Sequence, residues 1–252
     1  MTNASIVPGP ALFAVLAVLL LAAAVVVTRG QVGSGRAVVV AGVRAAVQLA
    51  VVSLLIAVIL RSGWWTAGFV ALMFSVAVVT SARRIGAPRD VLWVAVAIGS
   101  GVAPVLALVL AAGVVPVRPV AVVPVAGIVI GGAMTATSQA ALRSLDDLRT
   151  RYGEYEAALA LGFPQRPAAL EIARPAAGHA LVPALDQTRT VGLVTLPGAY
   201  VGMLLGGASP VQAGATQLLV LIGLLAAQSV AVLVTVHLVA ARLLHADWRR
   251  HG

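Results

Sequence analysis

Polar residues in this chain do not alternate with apolar ones at short range. They gather in a few narrow bands that separate long apolar blocks, at about 10–28, 38–60, 64–82, 91–112, 120–141, 190–206 and 213–243. Blocks near 20 residues long match the hydrocarbon thickness of a bilayer, which an α-helix crosses in roughly 20 residues. In that solvent only a structure that satisfies its own backbone hydrogen bonds can span. The pattern therefore predicts an all-α polytopic membrane protein with about seven transmembrane helices. The block at 190–206 is the shortest and contains Pro197-Gly198, and the last block is long enough to continue as a helix beyond the membrane.

The polar bands fix an orientation. With residues 1–8 outside, the inner connections and the C-terminal tail hold fifteen arginines, among them Arg29, Arg36, Arg83, Arg84, Arg89, Arg143, Arg149, Arg242, Arg249 and Arg250; only Arg61 and Arg118 fall outside. Positively charged loops stay on the cytoplasmic side, so the N-terminus is expected outside and the C-terminus in the cytoplasm. Removing the short sixth block would move Arg242, Arg249 and Arg250 outside, which favours keeping it as a crossing.

Composition supports the same class. The chain is 61% apolar and 10% charged, against roughly 25% charged residues in an ordinary soluble domain. Its net charge of +9 comes from arginine alone. Those arginines lie between apolar blocks, not on one basic face with stacking aromatics, so a nucleic-acid partner is not expected. Arginine without lysine, with abundant Ala and Val, points to a GC-rich bacterial genome, hence to the inner (plasma) membrane. The absence of cysteine excludes disulfides, thiolate metal sites and cysteine nucleophiles. The first apolar block lacks a basic start and reads as a membrane anchor, not a cleaved leader.

The connection at about 142–189 is too polar to span. It opens with Arg143, Asp146, Asp147, Arg149 and Arg151 as a continuation of the fifth helix, and Gly153 permits a break. Residues 154–161 are strong helix formers that stop at Gly162, a C-cap residue, and Pro164 and Pro167 delay the next helix to about Ala168. A short helix lying across the cytoplasmic face follows. Ala157 and Ala158 are small enough to let a partner approach its backbone, Glu154 and Glu156 supply charge for register, and Gly162 lets the chain turn back.

Glu156-Ala157-Ala158, three residues, Gly162, nine residues, Ile172, one residue, Arg174-Pro175 resembles the coupling loop of ABC-transporter permeases. The run at 183–198, Pro-Ala-Leu-Asp-Gln-Thr-Arg-Thr-Val-Gly-Leu-Val-Thr-Leu-Pro-Gly, resembles the Fet-type (FetB) iron-export permease family, which includes plant half-permeases linked to aluminium tolerance. Arg44, Gln48-Leu49 and the Pro124, Gly127, Gly131, Met134 series fit that family too. The chain departs from its pattern at Arg174, where Leu is usual, and at Gly132, where Asn is common. The resemblance implies one transmembrane permease domain over 1–252 that pairs with a second copy of itself and docks on two copies of a separate ABC ATPase subunit. Transported cargo would be an ion or small solute, most readily iron moving outward. No cofactor and no catalysis are expected on this chain, since a phosphate loop needs a lysine that it lacks. The same coupling loop also suits an importer permease, and an ATP-independent secondary transporter or channel is the reading of another class.

Candidate path or gate residues are Met134, Thr135 and Gln139 at the end of the fifth block, Asp186 and Arg189 at the mouth of the sixth, and Thr195, Pro197, Gly198 and Tyr200 within it. Gly127, Gly131, Gly202 and Gly206 are expected at helix contacts, the last two at steps of four from Gly198. Gln217, Gln228 and His237 lie in the last block, where a lone histidine is more often packed than a ligand. No set of His, Asp or Glu converges at ligand spacing, so no resident metal site is expected.

Overall fold

The computed structural model describes residues 9–59 and 62–244, so Arg61, His245, Arg249 and Arg250 lie outside the described residues. Those residues are helical almost throughout and fall into two compact units, divided after Arg61.

The first unit is a hairpin of α1 (Pro10–Arg29) and α2 (Gly35–Ile59). Its turn carries Arg29 and Arg36. Two glycines let the helices close: a side chain at Gly42 would run into Leu20, and one at Gly35 would meet the Ala24 carbonyl and the Thr28 hydroxyl.

The second unit is built on α3 (Gly63–Ile85), α4 (Val91–Ala111), α5 (Pro119–Thr150) and α10 (Pro210–Ala240). α10 packs on both α4 and α5, and α3 packs on α5. Their shared core is rich in alanine, with Ala82, Ala97, Ala126, Ala133, Ala140 and Ala227 fully buried. Small residues bring helix axes close where lipid supplies no hydrophobic drive. The tightest approach is Gly101 on α4, where a β-carbon would collide with the Ala227 carbonyl of α10. Gly132 on α5 leaves room in the same way for Leu224 and Gln228. Ser138 Oγ lies 2.9 Å from Ser81 Oγ and 2.9 Å from the Met134 carbonyl, a polar link between α3 and α5.

Among the described residues, six helices are long and apolar enough to cross a membrane: α1, α2, α3, α4, α5 and α10. The sixth apolar block, 190–206, is not one helix. α8 (Val182–Thr190) ends as it begins; a turn follows, and α9 (Gly198–Leu205) is eight residues long. Gly192 turns the chain at φ +84°, and its N–H donates to the Thr195 carbonyl at 2.9 Å. Pro197 therefore caps α9 at its start and does not kink a continuous helix.

α5 runs nine residues past the expected end of its apolar block, as the charged continuation anticipates. The break falls at Arg151, so Gly153 sits inside the next helix, α6 (Tyr152–Ala160). α7 (Gln165–Gly178) starts three residues before Ala168, because Pro167 occupies its first turn, where a missing N–H costs nothing. A turn of 3-10 helix (His179–Leu181) leads into α8.

Candidate coupling and translocation site

α6 joins the rest of the second unit along one edge. Tyr155 is its single buried residue, while Glu154, Glu156, Ala157 and Gly162 are exposed and Ala158 is half-buried. Below it, α7 buries Ala168, Ile172, Ala173 and Ala177 against α5 and α10, and Ser144 of α5 donates to the Ala173 carbonyl at 3.4 Å. Arg174, at the position where the resembled family carries Leu, is exposed on the opposite side of α7.

Two polar links fix the ends of this assembly. Arg151 Nε and Nη2 donate to the two carboxylate oxygens of Glu154 at 2.8 and 2.6 Å. That bidentate bond holds the Glu154 carboxyl below its usual range and raises the Arg151 guanidinium above its own. Arg242, just past the end of α10, donates from Nη2 to the Tyr155 hydroxyl at 2.7 Å. Arg242 adopts a left-handed backbone at φ +57°, a conformation costly for a residue with a β-carbon. Hydrogen bonds that close the helix end hold it there, from its own N–H to the Val239 carbonyl and from the Leu243 N–H to the Leu238 carbonyl. The end of α10 is thus clasped to α6.

Sequence reasoning missed the most conspicuous part of this surface. Leu161 and Phe163, flanking Gly162 at φ +90°, are 80% and 55% exposed. Two large apolar side chains around a turn in a polar loop were the available signal. The Tyr155–Arg242 clasp had none, since 87 residues separate its members.

The candidate path residues do not converge. Thr135 is exposed and bonds the Gly131 carbonyl of its own helix at 3.0 Å; Met134 and Gln139 are half-buried on α5. Asp186 and Arg189 form an exposed pair at 3.7 Å, one turn apart on α8. Thr195 and Gly198 are exposed at the turn. Pro197 and Tyr200, by contrast, line a cavity of about 360 Å³ between the α8–α9 turn and α10. Gln217 of α10 lines it too, with 6% of its surface exposed and its Oε1 without a hydrogen-bond partner. Of the expected packing glycines, Gly127 faces the Met73 methyl, while Gly131 and Gly202 face open space and Gly206 meets only carbonyls of its own helix. Among the described residues, no group of three or more His, Asp or Glu could hold a metal ion. His237 bonds the Leu233 carbonyl of its own helix through Nδ1 at 2.8 Å.

Comparison with known proteins agrees with this architecture. Residues 11–244 match the model of the uncharacterised protein family UPF0014. The chain belongs to that family. It is 35% identical to the UPF0014 membrane protein STAR2 of Oryza sativa over 77% of this chain and 70% of that one. It is 34% identical to the protein ALUMINUM SENSITIVE 3 of Arabidopsis thaliana over 77% of this chain and 72% of that one. It is also 30% identical to the probable iron export permease protein FetB of Escherichia coli, over 58% of this chain and 56% of that protein. No solved structure gives a significant match. The chain is a multi-pass membrane protein, and one of its relatives is named a probable permease.

Proposed function

We propose that this chain is the membrane-embedded permease subunit of an ABC transporter in a bacterial inner membrane, that it works as a pair of copies, and that two ATPase subunits grip it at α6. One observation carries the reading: α6 and its turn present Glu156, Ala157, Leu161 and Phe163 outward, while Tyr155 on the opposite face ties the helix to α10. A surface that is exposed on one side and clasped on the other transmits force. Leu161 and Phe163 are the apolar anchors of the contact, and Glu154 and Glu156 set its register. ATP chemistry belongs to the partner, because this chain has no lysine for a phosphate loop.

Cargo moves outward in this reading, with iron as the first candidate, on the strength of the FetB name. The test is ATP-dependent iron uptake into inverted vesicles that contain this chain and its ATPase, where outward export becomes uptake. Uptake without ATP would contradict the reading. Gly162→Arg and Glu156→Lys should leave the chain in the membrane and remove both ATP-dependent uptake and copurification of an ATPase identified by its phosphate-loop peptide. Unchanged copurification in both variants would remove α6 from the contact.

A further inference from the structure

α3, α4 and α5 close on one another along only part of their length. Apart from Thr66, every buried residue of α3 lies between Ala77 and Ile85. Toward the start of α3 the three helices leave a slot of about 560 Å³. Its walls are stripes at steps of three and four residues, from Gly63 to Phe74 on α3, Gly99 to Leu110 on α4 and Pro119 to Ile130 on α5. At 1.5 Å per residue each stripe runs about 16 Å, close to half of a hydrocarbon core about 30 Å thick. Phe74 ends the slot against Gly99, where a β-carbon would lie 3.5 Å from the Phe74 ring. The slot is as deep as one leaflet.

Its shallow end is marked in two ways. Trp64 and Trp65, in the first turn of α3, are 89% and 62% exposed, and tryptophan gathers where hydrocarbon meets headgroups. Arg118, the N-cap residue of α5, is the slot's one charged lining residue, and the positive end of the α5 dipole adds to its charge. The rest of the lining is apolar except Thr66, whose hydroxyl donates to the Ser62 carbonyl at 3.1 Å. Among the described residues no carboxylate stands at this end. Asp and Glu are absent from residues 1–89, 91–145 and 187–246, and Asp90 begins α4 at the opposite end of the slot's helices. A second copy in the same membrane orientation would bring the same acid-free end. The anion that complements Arg118 is a phospholipid headgroup.

We propose that the slot holds an acyl chain of an anionic phospholipid from the leaflet on the side away from α6, with the lipid phosphate against Arg118. Lipid tails are as apolar as the lining, so a chain gains little by leaving the bilayer. The length of the slot decides that a chain fits, and Arg118 decides which headgroup stays. A zwitterionic phospholipid carries its own cation beside the phosphate and loses most of that attraction. The proposal stands apart from the permease reading and does not depend on it.

The full chain, purified in mild detergent, is titrated with phosphatidylglycerol or phosphatidylcholine of matched acyl chains, and bound lipids per chain are counted by native mass spectrometry. The unaltered chain should retain one lipid more than Ala103→Phe, whose ring fills the slot. That lipid should be held about fivefold more tightly as phosphatidylglycerol than as phosphatidylcholine, the equivalent of about 1 kcal/mol for one arginine near an anionic lipid. Arg118→Gln should remove the preference and leave phosphatidylcholine retention as it was, a pattern that misfolding does not produce. Arg84→Gln, at the far end of α3, should leave the preference intact. Equal affinity for the two lipids in the unaltered chain, an unchanged preference in Arg118→Gln, or the same lipid count in Ala103→Phe would each overturn the proposal. So would a dimer that carries no such lipid and falls apart in Ala103→Phe, the mark of a second copy seated in the slot.

Discussion

Two parts of the second unit handle glycine in opposite ways. Where α4, α5 and α10 meet, Gly101 and Gly132 are spaces already filled by a neighbour: the Ala227 carbonyl, and Leu224 with Gln228. In the α8–α9 element, Gly198 and Gly202 have nothing within 4 Å, α9 buries no residue, and α8 buries only Ala184. The first part is closed by its own packing. The second leans on α10 but leaves its outer side to lipid or to another chain, with Leu193 and Val194 at 92% and 77% exposure. In the proposed permease the stiff block would carry displacement from α6, and the loosely held α8–α9 element would be the part it shifts. α7 and the Tyr155–Arg242 clasp put α6 on the stiff block.

That contrast can be broken by substitution. Gly101→Ala should cost the most, about 3 kcal/mol, because its β-carbon meets backbone and not a movable side chain; unfolding midpoints in mixed micelles would measure it. Tyr155→Phe keeps the buried ring and removes the acceptor for Arg242, so about 1 kcal/mol is expected, together with weaker coupling of ATP hydrolysis to flux. Gly202→Ala should reverse the sign. With open space around it and a helical backbone, alanine should stabilise the isolated chain by about 0.5 kcal/mol. A loss at Gly202 as large as that at Gly101 would erase the distinction between the two parts.

The smallest effect concerns pH. Glu154 titrates below its usual value because Arg151 donates to both its oxygens. A lowered carboxylate contributes stability that is present above its unfolded pKa and lost as pH falls through its folded one. Order at the start of α6, followed by amide exchange of residues 152–156, should therefore decline only below the ordinary carboxylate range. Glu154→Gln should remove that dependence. The pair is exposed, so the change stays local.

How much of this was legible beforehand follows from what each feature depends on. The long helices, the extension of α5 and the placement of α6 depend on local composition, and Gly162 marked the end of α6 by its freedom to adopt φ +90°. The break at 191–197 was hidden because hydropathy averages over a window and cannot register a turn made by Gly192 among apolar neighbours. Pro197-Gly198 was visible there, but a kink and a helix start use the same residues. Gly101 and Gln217 were ordinary letters in apolar runs. Their surroundings come from Ala227 and from the α8–α9 turn, which only the folded chain brings beside them.

The proposed function requires α6 to be a gripped cytoplasmic handle, and the chain's lack of cysteine allows a direct test. A single Ala157→Cys variant, treated with a membrane-impermeant maleimide, should be labelled in inverted vesicles but not in intact cells, and should be protected when the ATPase subunit is bound. Labelling from outside the cell, or equal labelling with and without the ATPase, would contradict it.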